Sequence, residues 1–158
     1  MEDQRPKTLE HIKEVRAKIN HVVYRLGLRA DQHDKSKLES PEREIFDEYT
    51  PKLRDTTYGS DEYKTYLKEM KVALDHHYAN NRHHPEHFKN MQDGGKWEPL
   101  KHMDLIDIIE MLCDWKAATM RHADGDILKS IEINQRRFKY SNELKAIFIN
   151  TVKSLHWH

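Results

Sequence analysis

Residues 103–118 read MDLIDIIEMLCDWKAA. Leu105, Ile106, Ile108, Ile109, Met111, Leu112, Cys113, Trp115, Ala117 and Ala118 point in nearly every direction around a helix, with no strand-like alternation. The segment predicts a helix from about Met103 to Arg121, between Pro99 and Gly125. An element apolar all round is expected in the middle of a fold. Asp107, Glu110 and Asp114 interrupt it at spacings that put all three on one face. A buried, unpaired carboxylate is strongly disfavoured. Asp114 must therefore meet a metal, a cation or strong donors, and the plainer alternative is that Glu110 and Asp114 pair with Arg121, Lys116 or a base from another helix. Cys113 is the lone cysteine, so no intrachain disulfide forms, and at this place it reads as a small buried hydrophobe.

Outward from this segment the pattern stays helical. Leu9, Ile12, Val15, Ile19, Val22, Val23 and Leu26 recur at helical spacing and predict a helix from a Thr8 cap to Gly27. His11 shares the side of Val15 and Val22 and is expected at the interior or its margin, whereas His21 is expected outside. A short helix around ADQHDKSKLESPEREIF should restart at Ser40-Pro41, followed by a loop at KLRDTTYGS. Ser60 should cap a long helix whose face carries Leu67, Met70, Ala73, Leu74 and His77, with His76 on its shoulder. Asn80, Asn81 and Pro85 disrupt that helix, and MQDGGKWEP with Gly94-Gly95 is the clearest flexible loop. Helices near 126–138 and 142–155 follow, the last capped by Ser141. The expected architecture is all-α, a single domain over 1–158 with about seven helices.

At 158 residues the chain is long enough for a real core. Lys+Arg and Asp+Glu balance at 27 each, which removes the basic face that broad nucleic-acid or anionic-membrane binding requires. The charged N-terminus MEDQRPKTLEHIKE lacks the apolar core of a signal peptide, and no stretch is apolar enough to span a bilayer. The expected location is the cytoplasm. Neither a Walker A sequence, a dinucleotide-binding glycine fingerprint nor a G-x-S-x-G elbow is present, and one Cys cannot build a Cys-rich zinc site. Tyr58, Tyr78 and Trp97 near loops could stack on a base, although such residues more often pack.

The chemistry lies in the histidines. The chain has twelve, and seven fall at His11, at His33 beside Asp34, at His76-His77, and at His83-His84 with His87. Imidazoles with scattered carboxylates are the ligands that first-row transition metals prefer, and imidazole titrates near neutrality. His77 continues a core stripe, and His84 lies seven residues further on. His76 and His83 have the same spacing, so which member of each doublet faces the site stays open. His102, His122, His156 and His158 read as surface residues.

His11, then His33-Asp34, then Asp114 resembles the H…HD…D pattern of the HD-domain metal-dependent phosphohydrolases, which are all-α helical bundles. His33-Asp34-Lys35-Ser36-Lys37 is similar to the HD-x-G-K motif of the two-metal HD-GYP phosphodiesterases at His, Asp and the final Lys. The glycines and tyrosine of their later signature are missing, so cyclic-dinucleotide specificity does not carry over. The segments HIKEV, HDKSKLESPE, HHYANNRHHPEHF and MDLIDIIEMLCDWKAA more closely resemble a small uncharacterised HD-like family of bacteria and phages, over about residues 8–120.

The resemblance implies that His11, His33, Asp34 and Asp114 form a shared metal site, with Asp34 reaching a second ion held by His77 and His84. One or two divalent ions are expected. Iron or manganese is favoured for a mixed His/carboxylate set, and zinc, cobalt, nickel or magnesium is admissible. Lys37, Arg82 and Glu110 are the candidate catalytic residues: the two cations against phosphate charge, with Arg121 behind them, and Glu110 orienting a histidine. His87 is a candidate second-layer or substrate contact. The expected function is hydrolysis of a small phosphate ester, a nucleotide by preference, with a homodimer admissible. The alternatives are a di-iron oxygenase and a non-catalytic protein that binds a nucleotide or a partner on the same scaffold.

Overall fold

Four of the helices begin where a short polar side chain accepts a backbone N–H that the first helical turn leaves without a partner. The computed structural model describes residues 3–56, 60–91, 96–121 and 125–158. Its helices are α1 (Arg5–Gln32), α2 (Glu42–Arg54), α3 (Asp61–Glu69), α4 (Lys71–Asn80), α5 (Leu105–Thr119), α6 (Ile127–Phe138) and α7 (Asn142–Ser154). Ser60 caps α3 by accepting from Tyr63 N–H at 3.1 Å. Asp104 and Asp107 cap α5 reciprocally, Asp126 accepts from Leu128 N–H at 2.8 Å, and Ser141 accepts from Leu144 N–H at 3.2 Å. Short 3-10 turns occur at Lys35–Leu38, Pro85–Phe88 and Pro99–His102. The fold is all-α, and no strand occurs among the described residues. Tyr58, Gly94-Gly95 and His122 lie outside the described residues.

Some boundaries differ from the sequence expectation. Helix α1 starts ahead of Thr8, because Pro6 suits the first turn and the Thr8 hydroxyl instead donates to Gln4 O at 3.1 Å. It also runs through Gly27, whose cost of about 1 kcal/mol is carried by a cooperative 28-residue helix. Helix α2 continues through Pro51 to Arg54, so KLR belongs to the helix and not to a loop. The long helix expected after Ser60 is two, broken at Met70 between α3 and α4.

The chain divides into two compact units, Met1–His33 and Asp34–His158. The first is α1, none of whose residues is buried. The second holds a core made by α5, α6 and α7, in which Met111, Leu112, Ile127, Ile131, Phe138, Tyr140, Phe148 and Val152 are buried together. Trp97 and Trp115 pack against its edge, and each large side chain buried there contributes about 1.5–3 kcal/mol. Helix α2 packs on α4 and on the Lys35–Leu38 turn, and α4 packs on Pro85–Phe88.

Helix α5 is not buried all round. Met111, Leu112 and Asp107 face inward, whereas Leu105, Ile109 and Cys113 are exposed. Cys113 is therefore not the buried hydrophobe its neighbours imply: it shares an exposed stripe with Ile109, on the side of α5 away from Met111. No described helix is long and apolar enough to cross a membrane.

Candidate metal centre

Asp34 opens the site. Its backbone is left-handed (φ 55°), a conformation that Asp tolerates better than most residues, and it leads directly into the Lys35–Leu38 turn. The carboxylate divides its two oxygens. Oδ2 accepts from Lys37 Nζ at 2.6 Å, while Oδ1 lies 3.5 Å from both His77 Nε2 and His83 Nε2.

His77 and His83 reach Asp34 from opposite elements in the same manner. His77 comes from α4, on the face that also buries Met70 and Ala73. Its Nδ1 is 2.8 Å from Glu42 Oε2 at the start of α2, so Nδ1–H donates to the carboxylate and Nε2 keeps its lone pair. His83 comes from the turn after α4. Its Nδ1 is 3.1 Å from Glu110 Oε1 on α5, again leaving Nε2 toward Asp34. Glu42, His83 and His77 are only 0%, 1% and 2% exposed. Asn81 secures the turn between them by donating to His77 O and to Ser36 Oγ, both at 2.8 Å.

His84 completes the group. Its Nε2 is 2.8 Å from His77 Nε2, and its ring centroid is 4.2 Å from that of His83. Two nitrogens bound about 2.1 Å from one ion at right angles stand about 3 Å apart, so the close pair fits neighbouring ligands. Burial first, then His83 and His77, pushes the His84 pKa down to about 2. Burial and then Lys37 also lower that of His77, against the opposing pull of Asp34 and Glu42. Both shifts favour the neutral imidazole that binds metal. Asp34, His77, His83 and His84 each offer one atom, all within 4.8 Å of one another.

Among the residues expected from sequence, the structure thus brings Asp34, His77 and His84 together. Asp114 is half-buried on α5 and places a carboxylate oxygen within 4.8 Å of one from Asp34. Glu110 lies behind His83. Lys37 sits on Asp34, with its ammonium also 5.4 Å from the Phe46 ring centroid. Arg82 pairs instead with the buried Asp107, Nη2 to Oδ2 at 2.9 Å, and lies over Phe88, tying the turn that carries His83 to the first turn of α5. His11 is exposed on α1, and His33 caps the C-terminus of that helix. His87 turns away and donates to Tyr78 O at 2.8 Å. His76 stays partly exposed and bonds Glu42 Oε1 at 2.7 Å. His102 is half-buried, stacked on Phe88, and not a surface residue.

Glu42, Asn81 and Ser36 were not singled out from the sequence, and His83 was one of an unresolved doublet. Glu42 carried a usable signal: it precedes Ile45 and Phe46 by three and four residues, so it shares their inward face. The choice within the second doublet had no answer, since both of its members enter the site.

Compared with known proteins, the chain matches no curated protein and no solved structure. A family model described as "Family of unknown function (DUF5662)" matches residues 1–155, and the chain belongs to that family.

Proposed function

We propose that this DUF5662 protein is a metal-dependent phosphohydrolase that cleaves a small phosphate ester, with a nucleotide as the substrate class. What supports it is the doubled arrangement around Asp34. His77 and His83 each present Nε2 to the same carboxylate, and each is held from behind by a buried glutamate. A histidine kept only for packing has no need of a second nitrogen aimed at a shared focus. Carboxylate-backed imidazoles are how proteins fix the tautomer and raise the basicity of metal ligands.

Asp34, His77, His83 and His84 would hold the ion, and His11, His33 and Asp114 are the further ligands implied by the HD resemblance. The mixed nitrogen and oxygen donor set suits iron or manganese, and zinc, cobalt, nickel or magnesium is compatible with it. A divalent ion held there supplies an acidified water and polarises a phosphoryl oxygen. The chain's own residues do the rest. Glu42 and Glu110 keep two imidazoles oriented, burial keeps His84 deprotonated, and Lys37 provides positive charge beside Asp34 where phosphoryl oxygens would approach. Arg82 acts through position, holding the His83 turn against α5.

The test is elemental analysis of the purified protein, followed by phosphate release from a nucleotide panel with Mn, Fe, Co, Mg or Zn added. The expected result is bound transition metal and release that Asp34→Asn abolishes. Activity surviving the loss of both Asp34 and Asp114, or wild-type protein with no affinity for any of these ions, would sink the proposal. Tight nucleotide binding without turnover would assign a sequestering role instead, and oxygen uptake with two bound irons an oxidative one.

A further inference from the structure

The three imidazoles of the metal centre are not held alike. Glu42 stands behind Nδ1 of His77, and Glu110 behind Nδ1 of His83. Among the described residues no carboxylate is bonded to His84, whose Nε2 meets that of His77 at 2.8 Å. A carboxylate behind an imidazole fixes its orientation and raises its basicity, so His84 needs another support if it is to ligate. Three rings lie against it: His83 with centroids 4.2 Å apart, His77 at 4.7 Å and Tyr78 at 5.2 Å. The first two are themselves proposed ligands. Tyr78 is the third, tilted 59° to His84 and within the range of favourable aromatic contact.

Tyr78 follows His77 on α4 and is half-buried. Its carbonyl lies in the last turn of α4, where helical partners run out, and it accepts from His87 Nδ1 at 2.8 Å. Arg137 from α6 faces its hydroxyl and also pairs with Glu86. Glu86 and His87 lie two and three residues beyond His84, in the Pro85–Phe88 turn. The segment that carries His84 is thus tied to Tyr78 through the Tyr78 backbone and, by way of Arg137, through its hydroxyl.

We infer that Tyr78 is a positioning residue of the centre, its ring giving His84 the fixed direction that Glu42 and Glu110 give His77 and His83. The inference rests on the metal reading and adds to it a residue that is not itself a ligand. Tyr78 is next to His77 in sequence, yet its ring is nearer to that of His84, 5.2 Å against 6.0 Å. Its hydroxyl is engaged by Arg137, so the ring and not the oxygen is what it offers His84. An aromatic wall restricts the rotation of an imidazole without supplying charge. It fixes direction and leaves basicity alone, which makes His84 the ligand most dependent on being held in place. The tyrosine that the sequence offers for stacking on a base thus has a ligand imidazole against its ring.

Calorimetric titration of Mn or Co into metal-free protein reads the role. Tyr78→Leu should weaken binding by about 10-fold, the lower end of what loss of a ligand's support costs, with unchanged helical circular dichroism. Tyr78→Phe keeps the ring and should bind as wild type does. The decisive comparison is a cycle with His84→Ala: once His84 is absent, adding Tyr78→Leu should cost no further affinity. Visible absorption of the cobalt-loaded protein should show the same grouping, Tyr78→Leu with His84→Ala and Tyr78→Phe with wild type. Equal affinities for Tyr78→Leu and Tyr78→Phe, or additive losses for Tyr78→Leu and His84→Ala, overturn the inference and leave the metal reading standing. A wild-type protein that binds none of these ions overturns the metal reading, and this inference with it. If Tyr78→Leu fails to fold, the wild type decides the matter. In zinc-loaded protein the His84 Hε1 proton should show a nuclear Overhauser contact with the Tyr78 ring, and its absence overturns the inference.

Discussion

Two buried groups within Asp34–His158 are built on opposite rules. Between α5, α6 and α7 the buried side chains are apolar, and the one polar atom that Tyr140 carries inward donates to Ile131 O. Around Asp34 the buried side chains are Glu42, His77, Asn81 and His83, with Asp107 nearby. The first group is stabilised by area, so its members are individually replaceable by others of similar volume. In the second, each member depends on a named neighbour, and removing one leaves another buried and unsatisfied. An apolar filling of the same volume would stabilise the fold at least as well. Stability does not account for the second group, whose His and Asp atoms could hold a metal ion.

The largest expected effect falls on the apolar group. Phe148→Ala should cost about 3–5 kcal/mol in denaturant unfolding, with the metal content of the folded fraction unchanged. Loss of metal in that variant would mean that the two groups are not separable. Next, adding Mn or Fe to metal-free protein should raise its stability by about 2.7 kcal/mol at a hundredfold excess over Kd. The double variant His77→Ala, His83→Ala should show no such rise, and an equal rise would place the ion elsewhere.

Glu42→Gln keeps the volume and removes the charge behind His77. It should cost about 1–3 kcal/mol and weaken metal binding by about 10–100-fold, read by calorimetric titration. An unchanged affinity would make Glu42 a purely structural partner.

The smallest effect concerns pH in metal-free protein. The His84 pKa is depressed from 6.5 to about 2 on folding, by burial first, so between these values the unfolded chain binds a proton that the folded one refuses. The stability contribution is whole above pH 6.5 and is lost as pH falls toward 2. His77 adds to it in the same direction. Midpoints of urea unfolding between pH 7 and 5 should fall more steeply for wild type than for His84→Asn, and parallel slopes would refute the assignment.

Much of the fold was legible because capping and periodicity are local. Ser60 and Ser141 mark the starts of α3 and α7, and the Leu67, Met70, Ala73, Leu74 series put His77 on an inward face. His77 and His84 meet through a reversal of the chain and not along a helix. His84 lies seven residues beyond His77, α4 ends at Asn80, and a turn brings the His84 ring back to 2.8 Å from that of His77. What could not be read depends on other elements. The sequence of α5 says that its residues are apolar, not which of them find a cover, so Cys113 and Ile109 were misplaced inward. Glu42 was missed because its role depends on α4 packing beside α2.

Position 34 carries two separate demands, and they constrain its replacements differently. The left-handed turn there tolerates Asn nearly as well as Asp, and most other side chains at a cost of about 1–2 kcal/mol. Asn keeps the bend and discards the charge, whereas Glu keeps the charge and resists the bend. The two substitutions form an orthogonal pair, one editing the electrostatics and the other the path of the chain. Alanine alters both at once and separates neither.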